Sequence, residues 1–205
     1  MKRIYLDHAA TTPVDPAVVE VMVSSLKDNF GNPSSVYAEG RAAKKSIDAA
    51  RAQVAKAINA DPREIFFTAS GSEADNWAIK GIAMKNQAKG NHIITTKIEH
   101  HAILHTCQYL EKHGFEVTYL PVDKDGLISL EDLRNAIRKE TILVSIMFAN
   151  NEIGTIEPIK EIGEIVKEKG IVFHTDAVQA LGNIAIDVKD LNVDLLSVSA
   201  HKIYG

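Results

Sequence analysis

Four short runs combine residue types that can do chemistry. Ser70-Gly71-Ser72 follows an apolar stretch ending at Phe67. A glycine with hydroxyls at the start of a helix offers backbone N–H groups and the helix dipole to an anion such as phosphate. A plain helix cap by Ser70 accounts for the same residues equally well. The run lacks the Gly-Lys-Thr of a nucleotide phosphate loop, and no G-x-G-x-x-G is present. Asn150-Asn151-Glu152-Ile153-Gly154 follows Phe148, where paired amides either form a turn or present hydrogen-bonding groups to a ligand. Asp176, three residues before Gln179, either caps the next segment or supplies the fixed anion that keeps a pyridine nitrogen protonated. Lys202, just past Ser199-Ala200-His201, is a solvated rim charge, or a nucleophilic amine if burial and nearby cations favour its neutral form.

These runs fit one another. Asp176 and Lys202 lie 26 residues apart (202 − 176), about the length of one helix and a return strand, so both are expected on the same edge of a sheet. A bound pyridine aldehyde needs an anion at its nitrogen, a donor near its phenolic oxygen, a phosphate cradle and an amine at its aldehyde. Asp176, Gln179, Ser70 to Ser72 and Lys202 supply these four.

Three other features read as structural. Glu99-His100-His101 with His105 has a pair of histidines one helical turn apart, a metal-ligand spacing, but no third and fourth ligand at a fitting distance, so no metal site is expected. Asp7-His8 belongs to an arm packed beside the site or on a partner. Cys107 lies among Leu104 and Leu110 and reads as a packed, inert thiol.

The elements that must position these residues alternate between helix and strand. Asp15-Pro16 opens a helix towards Leu26, with proline at the first helical position. Residues 31–35 are a loop, and Arg41 to Ile58 is helical. Ile65 to Thr68 reads as a short strand, followed by a helix from Ser70 through Ile82. His92 to Thr95 and Phe115 to Leu120 read as strands flanking a helix from Ala102 to Lys112. Leu130 to Arg138 is helical, with Ser129 and Asp132 spaced as a capping pair. Ile142 to Phe148 is a continuous apolar strand, as in a sheet covered on both faces. Pro158 to Lys169 is a helix, and Ile171 to His174 and Val193 to Val198 are strands. Strands separated by helices imply right-handed crossovers and a mainly parallel sheet, an α/β fold with three αβα layers. Ligands then sit beyond the carboxyl ends of the strands.

The chain is expected to divide into an N-terminal arm at 1–14 and one incomplete domain at 15–205. It stops just beyond a strand with no closing helix, and so reads as the first part of a longer protein, with a natural short form as the alternative. A net charge of −4 gives no footprint for nucleic acid or anionic membranes. No stretch approaches the length of a membrane span, and the N-terminus lacks a signal peptide's apolar run. The single cysteine forms no internal disulfide and suits a reducing, cytoplasmic compartment.

The runs LDHAATTP (6–13), GNPSS (31–35), FTASGSEADNWAIKG (67–81), EHHAIL (99–104), NNEIGT (150–155), HTDAVQALG (174–182) and SAHKIYG (199–205) together resemble the cysteine desulfurases. These are pyridoxal phosphate (PLP) enzymes of the class V aminotransferase group, fold type I. The resemblance covers nearly the whole chain and implies a PLP-binding large domain whose C-terminal small domain is absent here. It implies that Lys202 forms the Schiff base with the cofactor, Asp176 holds the pyridine nitrogen protonated and Gln179 bonds the phenolic oxygen. His100 would stack on the ring and assist proton transfer. Gly71, Ser72, Ser199 and His201 would hold the phosphate, and Asn151 would lie beside the ring and the substrate carboxylate. The family usually has a small residue and threonine where this chain has Gly71-Ser72, a mild departure that keeps a hydroxyl.

The implied reaction removes sulfur from L-cysteine and leaves L-alanine, with Lys202 moving the α-proton. A cysteine thiolate expected beyond Gly205 becomes the persulfide, and sulfur passes on for iron–sulfur cluster assembly or tRNA thiolation. The implied partners are a second copy of the chain, as a homodimer, and a sulfur-accepting scaffold or thiolation enzyme. Alternatives left open are a selenocysteine lyase or another class V enzyme, and a non-catalytic fragment or half of a split enzyme.

Overall fold

The computed structural model describes residues 3–205, which form two compact units: the described residues through Phe67 with Ala200–Gly205, and Thr68–Ser199.

In the first unit, α1 (Pro16–Asp28) starts where expected. The Asp15 carboxylate accepts the Ala17 N–H, and Pro16 takes the first turn, where its missing N–H costs nothing. None of its side chains is buried. The long α2 (Ala38–Ile58) ends on Asn59 in the left-handed conformation, φ 58°, a geometry asparagine tolerates. The strand expected over Ile65 to Thr68 does not form. The Ile65 carbonyl accepts from the Arg51 guanidinium at 2.7 Å, which also lies 5.2 Å from the Phe67 ring centre. The backbone polar group is thus satisfied by a side chain rather than by a ladder. The same unit holds a knot between the N-terminal arm and the chain end. Thr12 N–H donates to the His201 carbonyl at 2.9 Å, and Asp15 N–H to the Tyr204 carbonyl at 2.9 Å.

The second unit is built on five strands: β1 (His92–Thr96), β2 (Glu116–Leu120), β3 (Thr141–Ser145), β4 (Val172–Asp176) and β5 (Leu195–Ser197). They pair in the order β2-β1-β3-β4-β5, all parallel. Four helices, α3 (Gly71–Asn86), α4 (His101–Glu111), α5 (Leu130–Ala136) and α6 (Ile159–Glu168), connect and cover them. This is the αβα arrangement the alternating pattern implies. β1 and β3 are buried along their whole length, because a parallel sheet is covered on both faces. The core brings Ile79, Ile103, Leu110 and Cys107 from the helices against Ile93 and Leu143 from the sheet. Burial pushes the Cys107 thiol up to about 12, so it stays protonated, as its apolar neighbours in the sequence suggest.

Two expectations need correction. The ladder of β3 ends at Ser145, although the buried backbone continues to bond β4, with Ile146 N–H on the His174 carbonyl and Phe148 N–H on the Asp176 carbonyl. The connection from Asp176 to β5 contains turns and no helix. Gly182 turns the chain at φ 84°, and the Asp187 carboxylate accepts the Lys189 and Asp190 N–H groups in a local turn.

Candidate functional site

The parallel strands β1, β3, β4 and β5 of the second unit end at one edge, and the segments that follow them carry most of the residues singled out in the sequence. β1 leads to His100, β3 to Asn151, β4 ends at Asp176 with Gln179 just after it, and β5 leads to Ser199. This edge is the expected ligand position of an open parallel sheet.

α3 brings its N-terminus to the same edge. Ser70 caps it by accepting the Glu73 N–H at 3.1 Å. The first-turn N–H groups, including those of Gly71 and Ser72, have no intrahelical acceptor. A methyl group placed on Gly71 would meet Val178 at 3.3 Å and Ser199 at 3.4 Å. Glycine therefore lets the helix start close to the segments that follow β4 and β5. Cap and anion cradle, posed as alternatives for the sequence, coexist: the Ser70 hydroxyl uses one N–H, and the dipole and remaining first-turn groups still favour an anion.

Asp176 is buried, and one carboxyl oxygen accepts the Val178 N–H at 2.9 Å. It therefore caps the following turn at a strand end. His100 caps α4, with Nδ1 accepting the Ala102 N–H at 3.2 Å. In the neutral ring the proton consequently sits on Nε2. Asn151 donates to Glu152 at 2.6 Å, and the Gln179 carbonyl accepts from Asn183. A shallow cleft of about 400 Å3 includes Ser72, Asn76, Lys80, His100, His101 and His105 in its lining. His101 and His105 stack, with ring centres 5.4 Å apart. Among the described residues, no group of three or more potential ligands is placed to hold a metal ion.

The remaining two candidates lie in the first unit. The half-buried Lys202 ammonium donates to the carbonyls of Ala9 and Ala10, the latter at 2.7 Å. His201 Nδ1 lies 3.1 Å from the Thr11 hydroxyl. The arm singled out in the sequence therefore holds the lysine segment within that unit.

Sequence reasoning missed the buried acids behind the strand ends. Glu99 is buried; one of its oxygens accepts the Thr96 hydroxyl at 2.7 Å and the Met147 N–H at 2.9 Å. With the Asn150 amide on the Ile98 carbonyl at 2.9 Å, it ties the His100 loop to the Asn151 loop. Burial raises its carboxyl to about 8 against the partial relief of those two donors. Burial, with Asp176 nearby, likewise pushes Asp75 well above the carboxylate range. Burial also lowers His174 to about 4. The 3.7 Å contact between His174 and Asp75 is thus one between neutral groups at pH 7. The spacing of Gly71, Asp75, Ile79 and Ala83, which share the buried stripe of α3, could have flagged Asp75, since positions four apart lie on one helical face.

This protonation pattern sets a pH dependence. An unfolded Glu99 ionises above its ordinary value, whereas the folded one keeps its proton to about 8, so in that window the unfolded state binds fewer protons and stability falls as pH rises. Glu99→Gln should remove this penalty. Urea unfolding of the two proteins should diverge by roughly 4 kcal/mol between about pH 5 and pH 8, in favour of the variant at the higher pH. Parallel curves would mean that Glu99 is ionised in the native state.

The profile of the aminotransferase class-V family matches residues 4–205. The chain is 67% identical over 204 residues to the cysteine desulfurase IscS of Clostridium botulinum (strain Hall), covering 100% of this chain and 51% of that protein. It is 63% identical to the cysteine desulfurase IscS of Methanosarcina thermophila, covering 50% of it. The chain thus spans about half the length of these relatives. Among solved structures, SspA in complex with cysteine superposes with a TM-score of 0.96 at 46% identity, over 99% of this chain and 58% of the other. A NifS-like protein gives 0.97 at 44% identity, over 100% and 56%. Desulfurases and other members of this group are PLP enzymes, and the edge described above suits that cofactor, offering first-turn N–H groups and hydroxyls to a phosphate and a buried carboxylate to a ring nitrogen. Sequence, fold and cofactor chemistry therefore agree: the chain belongs to the aminotransferase class-V family.

Proposed function

We propose that the protein of which this chain is part is a PLP-dependent cysteine desulfurase, taking sulfur from L-cysteine and leaving L-alanine. The observation that carries this reading is the close approach of Gly71, at the start of α3, to Val178 and Ser199, at the strand edge that ends in the buried Asp176.

Bound PLP supplies an electron sink for the negative charge that develops at the substrate α-carbon. The residues of this chain do the rest. The N–H groups of Gly71 and Ser72, with the hydroxyls of Ser72 and Ser199, would hold the phosphate, a role the family resemblance extends to His201. Asp176 would keep the ring nitrogen protonated. The Gln179 amide would donate to the phenolic oxygen, and Asn151 would orient the substrate carboxylate. His100 would stack on the ring and donate from Nε2. Lys202 would be the attachment amine and would carry the α-proton; its amine donates to the Ala9 and Ala10 carbonyls of its own unit. The persulfide-forming thiol is not Cys107, which is buried and protonated.

L-Cysteine is favoured over selenocysteine because the structural neighbour with a TM-score of 0.96 holds cysteine. A homodimer, a sulfur-accepting scaffold or thiolation enzyme and a cytoplasmic location complete the proposal. The test is borohydride reduction of the full-length holoprotein. A yellow protein should be bleached, with the cofactor's mass fixed on the peptide that contains Lys202, and the unreduced protein should release alanine from cysteine. Failure to take up PLP would overturn the reading. Uptake with alanine released only from selenocysteine would establish the lyase instead.

A further inference from the structure

A row of polar side chains lies buried beneath the candidate site. Ser145 on β3, His174 on β4 and Ser197 on β5 occupy adjacent strands, and all three are essentially inaccessible. His174 Nδ1 is 2.9 Å from the Ser145 hydroxyl, and Nε2 is 3.0 Å from the Ser197 hydroxyl. Both ring nitrogens of a neutral imidazole are therefore satisfied, one donating and one accepting. Asp75 closes the row from α3. It is 1% exposed, one carboxyl oxygen has no hydrogen-bond partner, and that oxygen lies 3.7 Å from His174 Nε2.

The placement links the two ends of the site. Asp75 lies one helical turn after Gly71, on the same face of α3. His174 lies two residues before Asp176, so the two side chains share a face of the sheet, and Ser197 is the register partner of Asp176. An unpaired polar atom in so enclosed a place is costly, and an apolar side chain would pack α3 on the sheet without that cost. Asp75 lies against His174 on β4 and hydrogen-bonds with Ser197 on β5, and so ties α3 to particular polar atoms, which apolar packing does not do.

We propose that Asp75 is a positioning residue, anchoring the first turns of α3 to the row Ser197–His174–Ser145 and so fixing the span between the phosphate cradle at Gly71-Ser72 and the carboxylate of Asp176. The inference rests on the PLP reading above. A ligand that uses both ends of the span depends on Asp75, and one that uses a single end does not. Because burial keeps the Asp75 carboxyl protonated, asparagine can replace it as a neutral donor and acceptor of similar shape.

The test compares apo full-length protein carrying Asp75→Ala, Asp75→Asn or Ser197→Ala with the unsubstituted protein. Affinity for PLP is read by absorbance titration, and affinity for inorganic phosphate by competition. Asp75→Ala should weaken PLP binding by about 10-fold or more, while phosphate binding changes less than about threefold. Asp75→Asn should restore most of the PLP affinity. Ser197→Ala, which cuts the row without changing α3, should weaken PLP selectively and carries the test if Asp75→Ala does not fold. Equal losses for PLP and phosphate, or unchanged PLP affinity in Ser197→Ala, would overturn the assignment, as would an asparagine variant no better than alanine. If the unsubstituted protein takes up no PLP, the functional reading fails instead.

Discussion

Lys202→Ala in the full-length protein is expected to reduce alanine release from L-cysteine by on the order of 10^3-fold or more, since in the proposed function one amine both attaches the cofactor and carries the α-proton. The cofactor should still bind through its phosphate and ring nitrogen, but borohydride should no longer fix it to the protein. Mass spectrometry separates the two outcomes. The fold should survive, because the side chain is only half-buried and its partners are the Ala9 and Ala10 carbonyls of the arm. Loosening should be confined to that arm, and faster amide exchange there would register it. Retained alanine release would remove Lys202 from its role.

Phe173→Ala should destabilise the protein by about 3–5 kcal/mol, the range for emptying the place of a fully buried aromatic ring. Phe173 has no accessible surface and is the largest side chain buried to that degree. It lies within β4, paired with Val144 and held through its N–H by the Asp194 carboxylate at 2.8 Å. Alternation along the strand turns its ring to the face opposite His174 and Asp176. The cavity would therefore form beneath the strand that positions the carboxylate, and cofactor affinity should fall along with stability. Phe173→Leu should lose less of both. A urea midpoint unchanged in Phe173→Ala would mean that neighbouring side chains of the sheet and helices collapse into the space.

The neutral state of Glu99 and Asp75 bears on the site as well as on stability. Both lie close enough to Asp176 for their charges to interact with it and with each other. Three ionised carboxyls in so small a buried volume would repel one another strongly. Keeping Asp75 and Glu99 protonated removes that repulsion from Asp176. The lowered His174 completes this arrangement, since a protonated imidazole two residues away would draw the Asp176 charge towards itself.

Most of the fold was legible because its signals are local. Proline after Asp15, serine three residues before Asp132 and the apolar runs through Ile93, Leu143 and Phe173 specify starts, caps and buried strands with little help from distant residues. The polar residues at the strand ends could likewise be picked out, since chain order alone places them after apolar runs. Tertiary structure decided what depends on residues far apart in the chain. The Ile65 to Thr68 segment has the composition of a strand, but Arg51 takes its carbonyl. Asp75 has the composition of a helix surface, but α3 turns it onto β4 and β5, where burial raises its proton affinity. The sequence by itself determined which residues are available for chemistry. Tertiary packing decided which of those carboxyls keep a proton, because desolvation depends on what surrounds a group in space and not on its neighbours along the chain.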